Sequence, residues 1–241
     1  LFDWNGATYN PINICSEVMT DNFWAGGADL NDYTYWHYME DFKADPLHTL
    51  DGIWKQCYLG VKNANDVLSY VETGKDKITA EHQKLYTEEA MVLRAFYYCQ
   101  LWKFYGYIPV YMKNLTSPYT CEQSAPDAAY DAIITSLEEA IAIGALPMQW
   151  HDANLGRVNR ATAYMLYAEM VMYQNDESRY SKALEYMRQI INSGKFALHD
   201  NYAALWTKEG EWTKESIFEI NYTDGPNGKR AYGGGVGRRC R

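Results

Sequence analysis

From Leu50 onward an apolar residue recurs at every third or fourth position: Leu50, Ile53, Trp54, Cys57, Tyr58, Val61, Ala64, Val67, Leu68 and Val71. This spacing lays them along one face of an amphipathic helix, roughly 35–40 Å long at about 1.5 Å per residue. Gly74, just past the last of them, suits a left-handed C-terminal position. A second helix is predicted to open on Thr79 as N-cap, with Glu81 and His82 in its first turn, and to run to Tyr105. Its first half is one-sided, with Lys84, Thr87 and Glu88 expected outward. From Ala90 it is apolar nearly all round, as a helix entering a multi-helix interior must be. Gly106 and Pro109 end it.

After a loop over 113–125 the helical period returns three times. "PDAAYDAIITSLEEAIAIG" has Pro126 in its first turn. "NRATAYMLYAEMVMYQ" and "SRYSKALEYMRQIINSG" form a close pair, the second with Ser178 expected as cap and Gly194 as stop. Small alanines at the crossings and large rings between them read as tetratricopeptide-like hairpins with a loose repeat. The expected fold class is mainly α: helical hairpins, long irregular loops and a few short strands. One short helix is expected near Ile12–Met19, and "ESIFEINY" (Glu215–Tyr222) alternates as a strand. The organisation expected is one domain over 1–241, with a loop-rich segment at 1–46, a helical core at 47–198 and a loop and short-strand segment at 199–241. The chain begins with Leu and reads as a fragment missing both ends of a longer protein.

Composition adds one unusual feature. Aromatic residues make up 15% of the chain, with 22 Tyr and 8 Trp. Such an excess means half-buried rings whose polar tips find partners, or surface platforms. The stretch "LRAFYYCQLWKFYGYIPVY" (residues 93–111) carries eight of these rings, which its all-round apolarity assigns to packing.

The net charge of −9 argues against nucleic acid, since the only basic cluster is the short terminal "RAYGGGVGRRCR". No apolar run approaches the ~18 residues of a membrane-spanning helix. Cys15, Cys57, Cys99, Cys121 and Cys240 are scattered without metal-type spacing. Cys57 and Cys99 sit on consecutive helices, where either a pair of buried thiols or a disulfide fits, the thiols being the simpler reading. Acidic pairs such as Asp29 with Asp32, or Glu209 with Glu211, have the composition of an acid and a base. No catalytic triad, P-loop or dinucleotide motif accompanies them. No catalytic residue, metal site or cofactor is therefore assigned; Asp29–Asp32 lacks the full order of a calcium loop.

Five stretches taken in order carry a resemblance: "LDGIWKQCYLGVKNANDVL", "EAMVLRAFYYCQLWKFYGYIPVY", "GRVNRATAYMLYAEMVMY", "YSKALEYMRQIINSGKFAL" and "ESIFEINY". Spanning about 47–222, they make the chain resemble the SusD/RagB family of outer-membrane nutrient-binding lipoproteins. The resemblance implies a surface-exposed protein of the outer membrane, held by a lipid anchor this chain does not carry. It also implies capture of oligosaccharides, without catalysis, for delivery to a SusC-like TonB-dependent transporter. The alternatives are a RagB-like member that takes peptides, and a helical scaffold for protein contacts with no glycan site in this part. Members are about twice this length. Trp54, Tyr58, Asn65, Arg94, Tyr98, Gly106, Pro109 and Arg157 occupy signature positions and read as structural. Arg94, set among apolar neighbours, needs a carboxylate or carbonyl partner, for which Asp66 or Glu89 is expected.

A sugar presents an apolar C–H face and a rim of hydroxyls, so its binder needs a flat ring and polar groups at the ring's edge. The loop before the "IW…Y" helix contributes to glycan binding in the family, and here it holds Trp24 beside two glycines, then Asp29, Asn31, Asp32 and Trp36. The correspondence is regional, and the competing reading is that Trp24 and Trp36 are core rings beneath the loop. A second candidate is "MQWHDANLGR", with Trp150, His151 and Asn154 between two helices. Trp206 and Trp212 are expected to divide, one packed on the hairpin and one exposed.

Overall fold

The computed structural model describes residues 16–32, 34–49 and 51–219. They fall into two compact units that divide within one helix, between Gly60 and Val61. In the first unit residues 16–18 are helical, so the helix expected near Ile12–Met19 lies mainly outside the described residues. A loop from Phe23 to Asp32 leads to helix α1 (Thr34–Glu40), and α2 (Asp51–Thr73) begins in this unit. Thr34 Oγ1 donates to the Asn31 carbonyl at 3.0 Å, closing the turn into α1. Val18, Ile53 and Cys57 are buried here.

The second unit is built on α3 (Ala80–Tyr105), α4 (Pro126–Ile143), α5 (Arg160–Gln174) and α6 (Tyr180–Asn192). Helix α3 packs on α4, α4 on α5, and α5 on α6, the order of stacked hairpins. A two-residue ladder, β1 (Ile108–Pro109) with β2 (Gln123–Ser124), ties the α3–α4 connection antiparallel. Most ends follow local chemistry. Thr79 accepts from the His82 N–H, Pro126 opens α4, and Asn159 and Thr162 cap α5 reciprocally.

Ring packing accounts for the buried tyrosines of this unit. Tyr164 and Tyr186 stack at 4.2 Å between α5 and α6, and Tyr167 meets Tyr186 edge-on at 5.1 Å. Three hydroxyl tips are satisfied: Tyr164 donates to Gln189 Oε1 at 2.9 Å, Tyr167 to Glu138 Oε1 and Tyr130 to Asp176 Oδ2, both at 3.0 Å. Tyr98 donates to the Tyr111 carbonyl at 2.7 Å and accepts from its N–H at 2.8 Å. Cys57 and Cys99 are free thiols, and burial pushes both up to about 12, the behaviour of inert packing groups.

Several expectations are corrected. Gly74 is not left-handed; its φ is −100°. Its glycine serves a close approach instead, because an added Cβ would lie 2.9 Å from the Tyr70 carbonyl oxygen. Ser178 is not the cap of α6: the Asp176 carboxylate accepts from the Ser178 N–H ahead of the helix. No strand forms over residues 215–219; the Ile217 carbonyl there accepts from Asn159 Nδ2 at 2.8 Å, and 220–222 lie outside the described residues.

Arg94 takes neither Asp66 nor Glu89. Its guanidinium donates to Asn65 Oδ1 at 2.8 Å, the Met112 carbonyl at 2.6 Å and Ser136 Oγ at 2.9 Å. Burial lowers its pKa from the ordinary arginine value. Glu88, expected outward, is fully buried. Its Oε2 accepts from the N–H groups of Ala145 at 2.5 Å and Leu146 at 2.9 Å. A carboxylate spanning two consecutive backbone donors pins the α4–α5 loop to α3.

Candidate functional site

In the first unit, the loop from Trp24 to Asp32 is shaped by its own polar groups. Gly26 and Gly27 hold φ of 74° and 99°, a region costly to side-chain-bearing residues. At Gly27 an added Cβ would also meet Asp32 Cβ at 3.1 Å. Asp32 Oδ2 accepts from the Ala28 N–H at 3.0 Å, and Asp29 Oδ1 from the Asn31 N–H at 2.7 Å. One oxygen of each carboxylate is thus used to build the turn. The Asn31 side chain remains exposed beside them.

Trp24 stands on this loop with 68% of its surface exposed, so it is no core ring. Trp36, on α1, is half-buried. The residue facing inward beside it is His37, whose ring lies 6.5 Å from the Trp24 indole, tilted by 55°. Sequence reading passed over His37 and Glu40, which stand one helical turn apart. The i, i+3 spacing across a seven-residue helix was the signal available. At the end of the same segment Tyr38 and His48 stack at 4.2 Å, and the His48 ring nitrogen, bonded to Asp45, lowers that carboxylate's pKa.

In the second unit, the α4–α5 loop fixes Trp150 from several sides. Its indole N–H donates to the Val158 carbonyl at 2.8 Å, and the Arg157 guanidinium covers the ring at 4.9 Å. Arg157 in turn donates to both carboxylate oxygens of Glu89 (2.8 and 2.6 Å) and to Asn154 Oδ1 at 3.0 Å. The structure brings Trp150 and Asn154 together through Arg157, but the indole N–H is spent on the Val158 carbonyl and the Asn154 Oδ1 on Arg157. His151 stays exposed without such a contact. Beside Trp150 opens a groove of about 650 Å³, lined by Glu81, His82, Lys84 and Leu85 of α3 and by Ile143, Gly144, Ala145 and Pro147. Trp206 is exposed and meets Tyr202 edge-on at 6.0 Å, while Trp212 is half-buried.

The two loops differ in kind. Trp24 offers an open ring on a preformed turn with spare carboxylate and amide groups. Trp150 is a ring already engaged by the protein. Among the described residues no group of three or more metal-ligating side chains gathers, and no helix is long and apolar enough to cross a membrane.

A family profile described as "starch-binding associating with outer membrane" matches residues 5–172. The chain belongs to the SusD-like family. Among solved SusD-like structures it is similar to surface glycan-binding protein A from Bacteroides uniformis, at 46% identity and a TM-score of 0.86, over 92% of this chain and 49% of that one. It is similar as well to surface glycan-binding protein A from Bacteroides thetaiotaomicron, solved in complex with laminarihexaose. There the identity is 45% and the TM-score 0.85, over 92% of this chain and 46% of that one. A SusD-like protein of Formosa agariphila is 23% identical over 229 residues, covering 87% of this chain and 41% of the relative. The chain therefore spans just under half the length of the SusD-like proteins it matches.

Proposed function

We propose that this chain contributes a non-catalytic oligosaccharide-binding surface, with ligands of the laminarihexaose kind, to a SusD-like protein at the outer-membrane surface. The Trp24 indole stacks on a sugar face. Asn31 and the spare oxygens of Asp29 and Asp32 take hydroxyls at its edge, with Trp36 behind them. The observation that carries this reading is the open Trp24 ring on a loop whose geometry its own glycines and carboxylates maintain. Support from outside the chain is the 45% identity to a surface glycan-binding protein solved with laminarihexaose. Captured ligand passes to a TonB-dependent transporter, as the family's association with the outer membrane suggests.

The mechanism needs no bond-making. A ring stacked on one sugar and a few hydroxyl contacts give modest affinity, so release to a transporter stays fast. Trp150, already covered by Arg157, takes a secondary part at most, along the groove beside it with His151 and Asn154 at the rim. Isothermal titration with laminarihexaose and a panel of other glycans tests the reading. Binding of laminarihexaose that weakens at least about tenfold in Trp24→Ala, at unchanged melting temperature, supports it. A joint fall of affinity and melting temperature assigns Trp24 to packing. Cleavage products in the sample cell contradict a pure binder. Silence with every sugar, together with co-purification of a large membrane β-barrel, favours a scaffold.

A further inference from the structure

We infer that Glu40, backed by His37, is the positioning residue that presents the Trp24 indole for stacking; this rests on the binding role proposed for Trp24. A tryptophan 68% exposed has little packing of its own to select one orientation. Its backbone does have a tether. The N–H of Ala25, the next residue, points to Glu40 Oε2 at 3.4 Å, a contact spanning fifteen residues from the loop to α1. The same Glu40 oxygen lies 3.5 Å from Nδ1 of His37. One carboxylate oxygen thus faces the Trp24 loop on one side and the imidazole on the other.

His37 supplies the other half of the arrangement. Its side chain is nine-tenths buried, and its ring neighbours the Trp24 indole. Its Nε2 is buried without a hydrogen-bond partner among the described residues. Burying a ring nitrogen unpaired is unfavourable, so this nitrogen does not hold the ring in place; the polar contact of the ring is that of Nδ1 with Glu40. What the placement provides is a firm wall against which the indole leans at 55°. Wall and tether together restrict the indole before any ligand arrives. A ring restricted in advance loses less freedom on binding, a difference of roughly three- to tenfold in affinity for one large side chain.

Laminarihexaose titration of the 241-residue chain decides it, with Trp24→Ala, Glu40→Ala, Glu40→Gln and the double variant Trp24→Ala/Glu40→Ala. Glu40→Ala is expected to bind about three- to tenfold more weakly. Glu40→Gln keeps an acceptor oxygen for Ala25 and recovers most of the affinity. Because Glu40 acts through the indole, the double variant binds no more weakly than Trp24→Ala alone. Wild-type affinity in Glu40→Ala overturns the inference. So does a full additional loss in the double variant, since Glu40 then acts independently of Trp24. Wild-type affinity in Trp24→Ala is a different failure: it removes the binding role itself, whatever Glu40 does. Should Glu40→Ala not fold, Glu40→Asp carries the same comparison, because it keeps the charge but withdraws the oxygen from Ala25.

Discussion

Glu88 gives the sharpest energetic test of the helical unit. Its carboxylate is fully buried on α3 and accepts from two consecutive N–H groups of the α4–α5 loop, those of Ala145 and Leu146. Glu88→Ala leaves both donors without this acceptor. The Leu146 residue is fully buried, so its donor suffers the whole desolvation penalty; Ala145 is half-exposed and water can replace part of its bond. At about 1–3 kcal/mol for a buried unsatisfied group, less what is regained by no longer burying a charge, the net loss is about 2 kcal/mol. In a chain of this size that lowers the melting temperature by roughly 4–8 °C.

Glu88→Gln keeps an oxygen for the two donors and removes the charge, and it makes the experiment sensitive to sign. Burial is the largest influence on Glu88 and raises its pKa above the ordinary value, against the opposing pull of the two N–H groups and Arg160. An acid whose folded pKa is raised holds its proton more firmly folded than unfolded. Its favourable contribution is complete below the unfolded value, roughly pH 4, and is lost as pH rises through the folded one. Glu88→Gln, which cannot ionise, should therefore gain on the wild type as pH rises from about 4 to 7. Differential scanning calorimetry of the three proteins across that range measures it. Parallel wild-type and Gln curves, or an Ala variant as stable as wild type, would refute the reasoning.

Three further outcomes are expected. Gly27→Ala forces a side chain into φ 99° against Asp32, a strain of about 1–3 kcal/mol; laminarihexaose affinity falls several-fold in titration, and the melting temperature falls by roughly 2–4 °C for each kcal/mol of that strain. Arg94→Met strands oxygens of Asn65, Met112 and Ser136, and Arg94→Lys cannot reach all three directions, so both lose about 3 kcal/mol or more in urea unfolding. Asp176, held at about 2 first by Ser178 and then by Arg179, stabilises the α5–α6 turn above its unfolded value, and that contribution is lost as pH falls toward about 2. Asp176→Ala accordingly costs about 1–2 kcal/mol at neutral pH, a difference from wild type that closes on acidification in a thermal melt.

Much of the helical frame was legible in the residue pattern because its causes are local. The apolar period, Thr79, Pro126 and the Gly106 stop act within a turn or two of chain, and the observed bounds of α3 and α4 follow them. Locality also explains the misreadings. Ser178 and Asp176 are both acceptable caps two residues apart; Asp176, held also by Arg179 and Tyr130, caps the single turn Glu177–Arg179, and α6 starts behind it without a side-chain cap bond. The candidate site divides the same way. That an aromatic ring among glycines and carboxylates deserved notice was visible in the chain, but whether each ring is open was not.

By itself, then, the sequence determined a mainly helical protein of stacked hairpins with aromatic loops, because periodicity and caps are properties of neighbouring residues. Tertiary structure alone decided the fate of the individual polar and aromatic groups. Glu88 became an interior clamp by meeting a loop 57 residues away, and Arg157 covered Trp150 while held by Glu89, 68 residues away. Trp24 was left open, with Glu40 reaching back to its loop. Such outcomes depend on which distant donor or ring fills the space beside a side chain, and that is settled only when the helices pack.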